Sequence, residues 1–321
     1  MPELVPAAGH LLRDILRDTY SLWNDGLTPD AYAKFWEAQL RTPWGASHLD
    51  RVALVDRGQV LCSAKRYDLG ARIEGRIRRV LGIGAVFTPP AHRRRGAAHG
   101  LLERLLETAE AEGYEYALLF SEIDPAFYQR LDFVPVPLLE ARLEVLLQGG
   151  APAMLVRGGD ERDIPAIAEM SARRLDGARF ALERSEDWIR YGIAKRRLLA
   201  GLGPPGVRAL EFLVTEEGHQ AVAFVVSTVH EGRWYLEDAG DRDPSGARLG
   251  AMLQVMLART PHITPPEITA WLPPNVAPPQ VRRLEMHPIP AVMMMRPLKD
   301  RTLPLPPLDA SQVAYCRLDY F

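Results

Sequence analysis

The chain has 321 residues, 47% of them hydrophobic, and a formal charge of −2, so it is long enough for two domains and has no net field that would draw it to a nucleic acid. Its arginines are concentrated locally rather than spread over a basic face, which argues against a polyanionic partner. Two cysteines, Cys62 and Cys316, are too few for a disulfide scaffold or a cysteine-based zinc site. The N-terminus has no basic segment ahead of a long apolar core, and no run approaches ~20 uninterrupted apolar residues. The expectation is a reduced, cytoplasmic protein with no signal peptide, membrane span or metal; a homo-oligomer stays open.

In chain order, Leu11 to Trp23 and Asp30 to Leu40 read as amphipathic helices, the second introduced by Thr28-Pro29. Tyr20, Trp23, Tyr32, Phe35, Trp36 and Trp44 cluster there, as core or as the wall of a site. Arg51 to Asp56 and Val60 to Tyr67 read as a hairpin around Arg57-Gly58, and a third strand lies within Arg76 to Phe87. After Pro89-Pro90, Leu101, Leu102, Leu105, Leu106 and Ala109 recur at helical spacing, so a helix begins near Arg94 to Gly96. Its first amides have no intrahelical acceptor and sit at the positive end of the helix dipole. Gly96 and Ala98 lack bulk that would hold a phosphate away, and Arg93, Arg94 and Arg95 add charge at the same point. A strand, Tyr116 to Ser121, and the segment DPAFYQRLDF follow.

The spacing of Pro90, Arg93, Gly96 and Ala98 between a strand and an amphipathic helix resembles the R/Q-x-x-G-x-G/A motif of the GNAT acyl-CoA-dependent N-acetyltransferases, and DPAFYQRLDF resembles the segment that closes their domain. The resemblance implies an α/β (α+β) fold with a mixed, mostly antiparallel sheet flanked by helices, whose two central strands splay apart to admit acetyl-CoA. It places the backbone of Val86, Phe87 and Thr88 against the pantetheine. It wraps Arg93, Arg94, Arg95, Gly96, Ala97, Ala98 and His99 around the pyrophosphate, and it counts Ser121 among the cofactor-binding residues.

Residues 138 to 152 read as the end of the first sheet loosening into Gly-Gly-Ala-Pro, which sets domains at 1–150 and 151–300 with a tail from 301 to 321. The second half restarts the pattern. Leu155 to Arg157 is a strand, Asp160 to Leu175 and Arg184 to Leu199 are helices, and Arg208 to Thr215, Ala221 to His230 and Arg233 to Asp238 are strands. Where the first half has its arginine motif, the second has EDAGDRDPSGARLGAML. Glu237, Asp238, Asp241 and Asp243 there oppose a pyrophosphate, so this half is expected to be a degenerate domain that does not bind CoA. ITAW and AVMMMRPL read as strands completing the second sheet. The tail carries Val313, Tyr315, Leu318, Tyr320 and Phe321 and is expected to be extended and docked rather than frayed.

A closer resemblance, on His92 to Gly96, Ser121-Glu122, Tyr128 and the terminal Phe321, is to multi-domain GNAT enzymes of the enhanced intracellular survival (Eis) type. Those enzymes add a third domain, for which this chain is too short. The chain also has two extra residues between Ser121-Glu122 and the tyrosine, and Asp132 stands where a glycine is usual. The resemblance implies direct acetyl transfer from acetyl-CoA to a primary amine of a small molecule or peptide. Tyr128 would protonate the leaving thiolate and the carboxylate of Phe321 would act as base, with Glu122 the alternative base or amine anchor. Two other readings stay open: a non-catalytic acyl-CoA sensor and a protein-interaction module.

Overall fold

The computed structural model describes residues 1–146, 154–259, 266–273, 276–298 and 307–321. Among these, contacts define two units. The first takes in Met1–Pro137, Pro290–Asp309 and Phe321, and the second Leu138–Ile289 and Ala310–Tyr320. The elements run β1 (Glu3–Pro6), α1 (Gly9–Trp23), α2 (Pro29–Leu40), α3 (Pro43–His48), β2 (Leu49–Asp56), β3 (Gln59–Ile73), β4 (Arg76–Phe87), α4 (Ala97–Ala111), β5 (Tyr116–Ser121), α5 (Ala126–Gln129) and β6 (Val134–Val136). They continue with β7 (Leu139–Val145), β8 (Leu155–Gly158), α6 (Ile164–Arg174), β9 (Phe180–Leu182), α7 (Glu186–Leu202), β10 (Arg208–Glu217), β11 (Gln220–His230) and β12 (Arg233–Asp241). Then come α8 (Ala247–Arg259), β13 (Ile268–Ala270), β14 (Val281–Pro288), β15 (Val292–Pro297) and the short β16 (Val313–Ala314).

In the first unit the strands lie in the order β1-β2-β3-β4-β5-β15-β6, antiparallel throughout except where β4 runs parallel to β5. Local chemistry sets the helix starts: Thr28 accepts a hydrogen bond from the Ala31 amide ahead of Pro29, and Thr42 accepts one from Gly45 ahead of Pro43. The apolar stripe of α4, Leu101, Leu102, Leu105, Leu106 and Ala109, is buried against alternate residues of the sheet, among them Leu54, Cys62, Ala64, Leu81, Ile83, Ala117 and Leu119. The intervening residues face α1, α2 and α3: Tyr67 stacks on Trp44 at 6.5 Å, and Phe87 meets Trp23 edge-on at 6.2 Å.

The second unit repeats this plan with strands in the order β14-β7-β13-β12-β11-β10-β8, again with one parallel pair, β12 with β13. Leu249, Met252, Leu253 and Met256 of α8 pack on one set of strand residues, and Ile167 of α6 with Ile189 and Ile193 of α7 on the other. The tail ends within this unit up to Tyr320. β16 pairs in parallel with β9, Cys316 and Leu318 join the α6/α7 core, Arg317 grips the buried Glu140 with both carboxylate oxygens within 2.8 Å, and Asp319 meets Arg184 at 2.6 Å. The tail is therefore a two-residue strand and helical turns rather than the continuous extension expected. Its proline-rich start, 301–306, lies outside the described residues, as does the Gly-Gly-Ala-Pro linker.

Sheet membership corrects two expectations. LEARLEV, read as the close of the first sheet, is β7 and pairs with β13 and β14 of the second. AVMMMRPL, read as part of the second sheet, is β15 and inserts between β5 and β6 of the first. The unit boundary accordingly falls at Pro137/Leu138 rather than at 150, and each sheet holds one strand from the other's stretch of sequence. The run Met293-Met294-Met295 is nearly inaccessible, at 2%, 0% and 0%, as an unbroken apolar run must be in a strand covered on both faces.

Candidate active site

The first unit has an opening between its two parallel strands. β4 pairs with β5 only from Val80 with Tyr116 to Ile83 with Leu119, yet β4 continues to Phe87 and β5 to Ser121, so beyond Ile83 the ladder between them stops. β4 is also bulged at this point. Ser63 of β3 faces Phe87 and Lys65 faces Gly84, so Ala85 and Val86 stand opposite a single residue, with Ala85 at φ +46°. A bulge bends and twists its strand, which turns the 84–87 backbone away from β5. Val86 packs toward the α4 core, Phe87 is buried against Trp23, and the Thr88 hydroxyl donates to the Cys62 sulfur at 3.4 Å. The Thr88 carbonyl accepts from Arg93 Nε at 3.1 Å, tying the arginine run to the end of β4.

α4 starts beside this opening. Gly96 is its N-cap, left-handed at φ +79°, with no side chain to cap the helix; Arg94 is also left-handed, at φ +59°. The Gly100 amide is the first to find a helical acceptor, the Gly96 carbonyl, so the amides of Ala97, Ala98 and His99 point out of the helix end. Nothing lies within 4 Å of where a Gly96 Cβ would be, and Arg93, Arg94 and Arg95 are exposed around it. A cavity of about 590 Å³ opens here, lined by His92, Arg95, Gly96, Ala97 and Arg104 and by Arg57 of the β2–β3 hairpin. His99 lies 3.1 Å from Glu103.

Tyr128, from the single turn α5, is 7% exposed and belongs to the α4-side core, with Phe127 and Phe133 edge-on to its ring. Burial, with Cys62 nearby, pushes its phenol up to about 12, so it stays protonated. Cys62 itself is pushed up to about 11 by burial, which makes it a neutral thiol and no nucleophile.

The other face of the opening carries the end of the chain. The Phe321 ring lies 4.5 Å from that of Tyr67 and 5.4 Å from that of Phe120. Gly82 makes room for it, since a Cβ there would come within 2.9 Å of the Phe321 ring; one on Gly84 would lie 3.2 Å from the Tyr67 ring and in ordinary contact, at 3.5 Å, with a Phe321 terminal oxygen. Neither glycine featured in the sequence reading, although a Gly-x-Gly inside a strand signals close approach of other groups. Ser121 is buried and donates to the Ile123 carbonyl at 2.9 Å, while Glu122 lies just past the end of β5 and is exposed. The structure thus gathers Val86 to Thr88, Arg93 to His99 and Tyr128 about the opening's α4 side and Phe321 about its other side, with Glu122 in solvent.

Residues 14–136 match the model of the acetyltransferase (GNAT) domain. That stretch lies within the first unit. The whole fold is similar to that of a GCN5-related N-acetyltransferase from Kribbella flavida (18% identity, TM-score 0.67, 93% of this chain and 72% of that one). It is similar also to a probable N-acyltransferase from Enterococcus faecalis (11%, 0.67, 93% and 73%) and to Eis1 from Mycobacterium abscessus (13%, 0.55, 93% and 74%). At these identities the likeness is one of fold. No curated protein matches the sequence.

The start of α4 has a counterpart in the second unit, at the start of α8. Gly246-Ala-Arg-Leu-Gly250 opens α8 as Gly96-Ala-Ala-His-Gly100 opens α4: Gly246 is left-handed at φ +74° and its carbonyl accepts from Gly250 at 3.0 Å. Here the helix start is occupied by the chain itself. Asp241 accepts from the amides of Arg248 and Leu249 at 2.8 and 3.1 Å, and Ser245 accepts from Ala247. A Cβ on Gly246 would meet Val276 at 3.0 Å and Pro278 at 3.1 Å. Glu237 and Asp238 are not at the helix start at all; they are buried within β12 and paired with Arg196, Arg174 and Arg184.

Proposed function

We propose that the chain is an acetyl-CoA-dependent N-acetyltransferase that moves the acetyl group directly from the thioester to a primary amine, using the first unit alone. The observation that carries this reading is the opening between β4 and β5, with an uncapped, arginine-flanked helix start on one side and the chain's own terminal carboxyl group on the other. The amides of Ala97, Ala98 and His99 with Arg94 and Arg95 hold the pyrophosphate, and the backbone of Val86, Phe87 and Thr88 guides the pantetheine into the opening. The terminal carboxylate of Phe321 takes a proton from the amine as its nitrogen bonds to the thioester carbon. The tetrahedral intermediate then collapses, the C–S bond breaks, and the sulfur takes the Tyr128 hydroxyl proton. Both substrates are present together, so no acyl-cysteine is required of the neutral Cys62. Glu122, exposed to water, is the weaker candidate for the base. The second unit is the degenerate partner, since Asp241 already fills the position of a phosphate.

The test is acetyl-CoA consumption with a panel of amines, in the native chain and in one extended by a few residues after Phe321. The reading expects the extension to abolish turnover while acetyl-CoA affinity is kept. An extension without effect reduces the tail to packing and leaves the base to be found elsewhere.

A further inference from the structure

The face of the first sheet that holds Phe321 also holds a cluster of buried hydrogen-bond donors with too few acceptors. Arg51 of β2 is 4% exposed, and its Nε and Nη1 have no hydrogen-bond partner. Its guanidinium carbon sits 4.9 Å from the centre of the Trp36 ring, and the Lys65 ammonium nitrogen sits 5.5 Å from the same centre. Trp36 Nε1 is likewise buried without a partner, as is the hydroxyl of Ser63, two residues from Lys65 on the same face of β3. Two like charges on one ring oppose each other: Lys65 is pushed down to about 7, first by burial and then by Arg51. The carboxylate that acts on Lys65 is Asp25, on the exposed turn after α1, and tyrosine hydroxyls, Tyr32 foremost, support Arg51.

A structural core does not gather a buried guanidinium, a half-buried ammonium on the same ring and two orphaned polar groups at random, because each orphan costs stability until an acceptor arrives. What meets all of them at once is an anion with several oxygen acceptors. The cluster is also placed to serve the opening. Arg51 is the cross-strand partner of Lys65, and Lys65 of Gly84, so the three form a row over β2, β3 and β4 that ends beside a Phe321 terminal oxygen. With strands ~4.8 Å apart the row is about 10 Å long.

We infer that Arg51, Lys65 and Trp36 bind a carboxylate carried by the acceptor, so that the substrate is an amine of amino-acid type whose carboxylate and amine are separated by at most the length of this row. This inference rests on the reading of the opening as the acetyl-transfer site. Hydrogen bonds to a charged partner are the strong ones, and a bidentate guanidinium–carboxylate pair adds geometric selection.

The experiment compares glycine, β-alanine, 4-aminobutanoate and 6-aminohexanoate with their carboxamides as acceptors, and measures by calorimetry the binding of the corresponding N-acetylated acids and amides. At least one acid is expected to exceed its amide about 10- to 100-fold in kcat/KM and in product affinity. Arg51→Met and, separately, Lys65→Met should erase that ratio while acetyl-CoA affinity stays unchanged, which also certifies the fold of either variant. Acids preferred in the binding assay without any turnover would uphold the anion site and sink the acetyltransferase reading. Equal use and equal binding of acids and amides, no binding of any N-acetylated acid, or a preference that persists in both variants overturns the inference and leaves the acetyltransferase reading intact.

Discussion

Tyr128 is the residue on which the proposed chemistry turns, because the proposal makes its buried hydroxyl the proton source. Tyr128→Phe removes that hydroxyl alone. It should leave acetyl-CoA affinity unchanged and lower turnover on the order of 10² to 10⁴-fold, measured by single-turnover acetyl transfer. Burial favours the neutral phenol, so the acid form persists as pH rises past the ordinary tyrosine value and is lost only toward about 12. The alkaline limb of the pH–rate profile should therefore lie above ~10, and the stability that Tyr128 contributes is complete below ~10 and lost as pH rises through about 12. The motif made Tyr128 and Gly96 legible in the sequence. Arg51 and Lys65 were not, since a charge on a strand reads as solvent-facing until α2 is known to lay Trp36 over it. Glu122, the alternative base or amine anchor, lies one residue past the end of β5 and is exposed.

Among elements, the two helix starts contrast most. α4 and α8 share a left-handed glycine and the same five-residue spacing, yet one end is open and the other is closed by Asp241. Asp241→Ala removes the acceptor of two amides and the partner of Arg248. It should destabilise the second unit by about 1 to 2 kcal/mol, read from the denaturant midpoint, without changing acetyl-CoA binding to the first. The acidic run was legible as hostile to phosphate, but its mechanism was not. Among the described residues Asp241 and Ser245 cap the helix, whereas Glu237 and Asp238 lie inside a strand and are neutralised by Arg174 of α6, Arg196 of α7 and Arg184 between β9 and α7. Long periodic elements such as α1, α2, α4, β10 and β11 were readable within a few residues. The short α3 and β9 and the N-terminal β1 carry too few residues to declare themselves, and the eight-residue β14 is mostly exposed and too mixed in pattern.

At the scale of the whole chain, the exchange of β7 and β15 between the sheets was hidden because strand partners separated by more than a hundred residues leave no local trace. It has a thermodynamic consequence. Residues 1–137 lack β15, whose Met294 sits in the α4 core and whose ladder joins β5 to β6. An isolated 1–137 fragment should fail to fold cooperatively, and a fragment in which 290–298 is appended to it by a short linker should recover a sigmoidal transition by circular dichroism; a cooperative 1–137 fragment would show that β15 is dispensable. The tandem plan, legible as a repeat, thus yields two units of similar fold with unequal helix starts, and the unequal starts underlie the claim that only one binds cofactor. Titration calorimetry with acetyl-CoA tests that claim most directly. One site per chain is predicted, abolished by Gly96→Glu, which puts a carboxylate at the open, left-handed helix start, and preserved in Asp241→Ala. Two equivalent sites, or binding that survives Gly96→Glu, would contradict it.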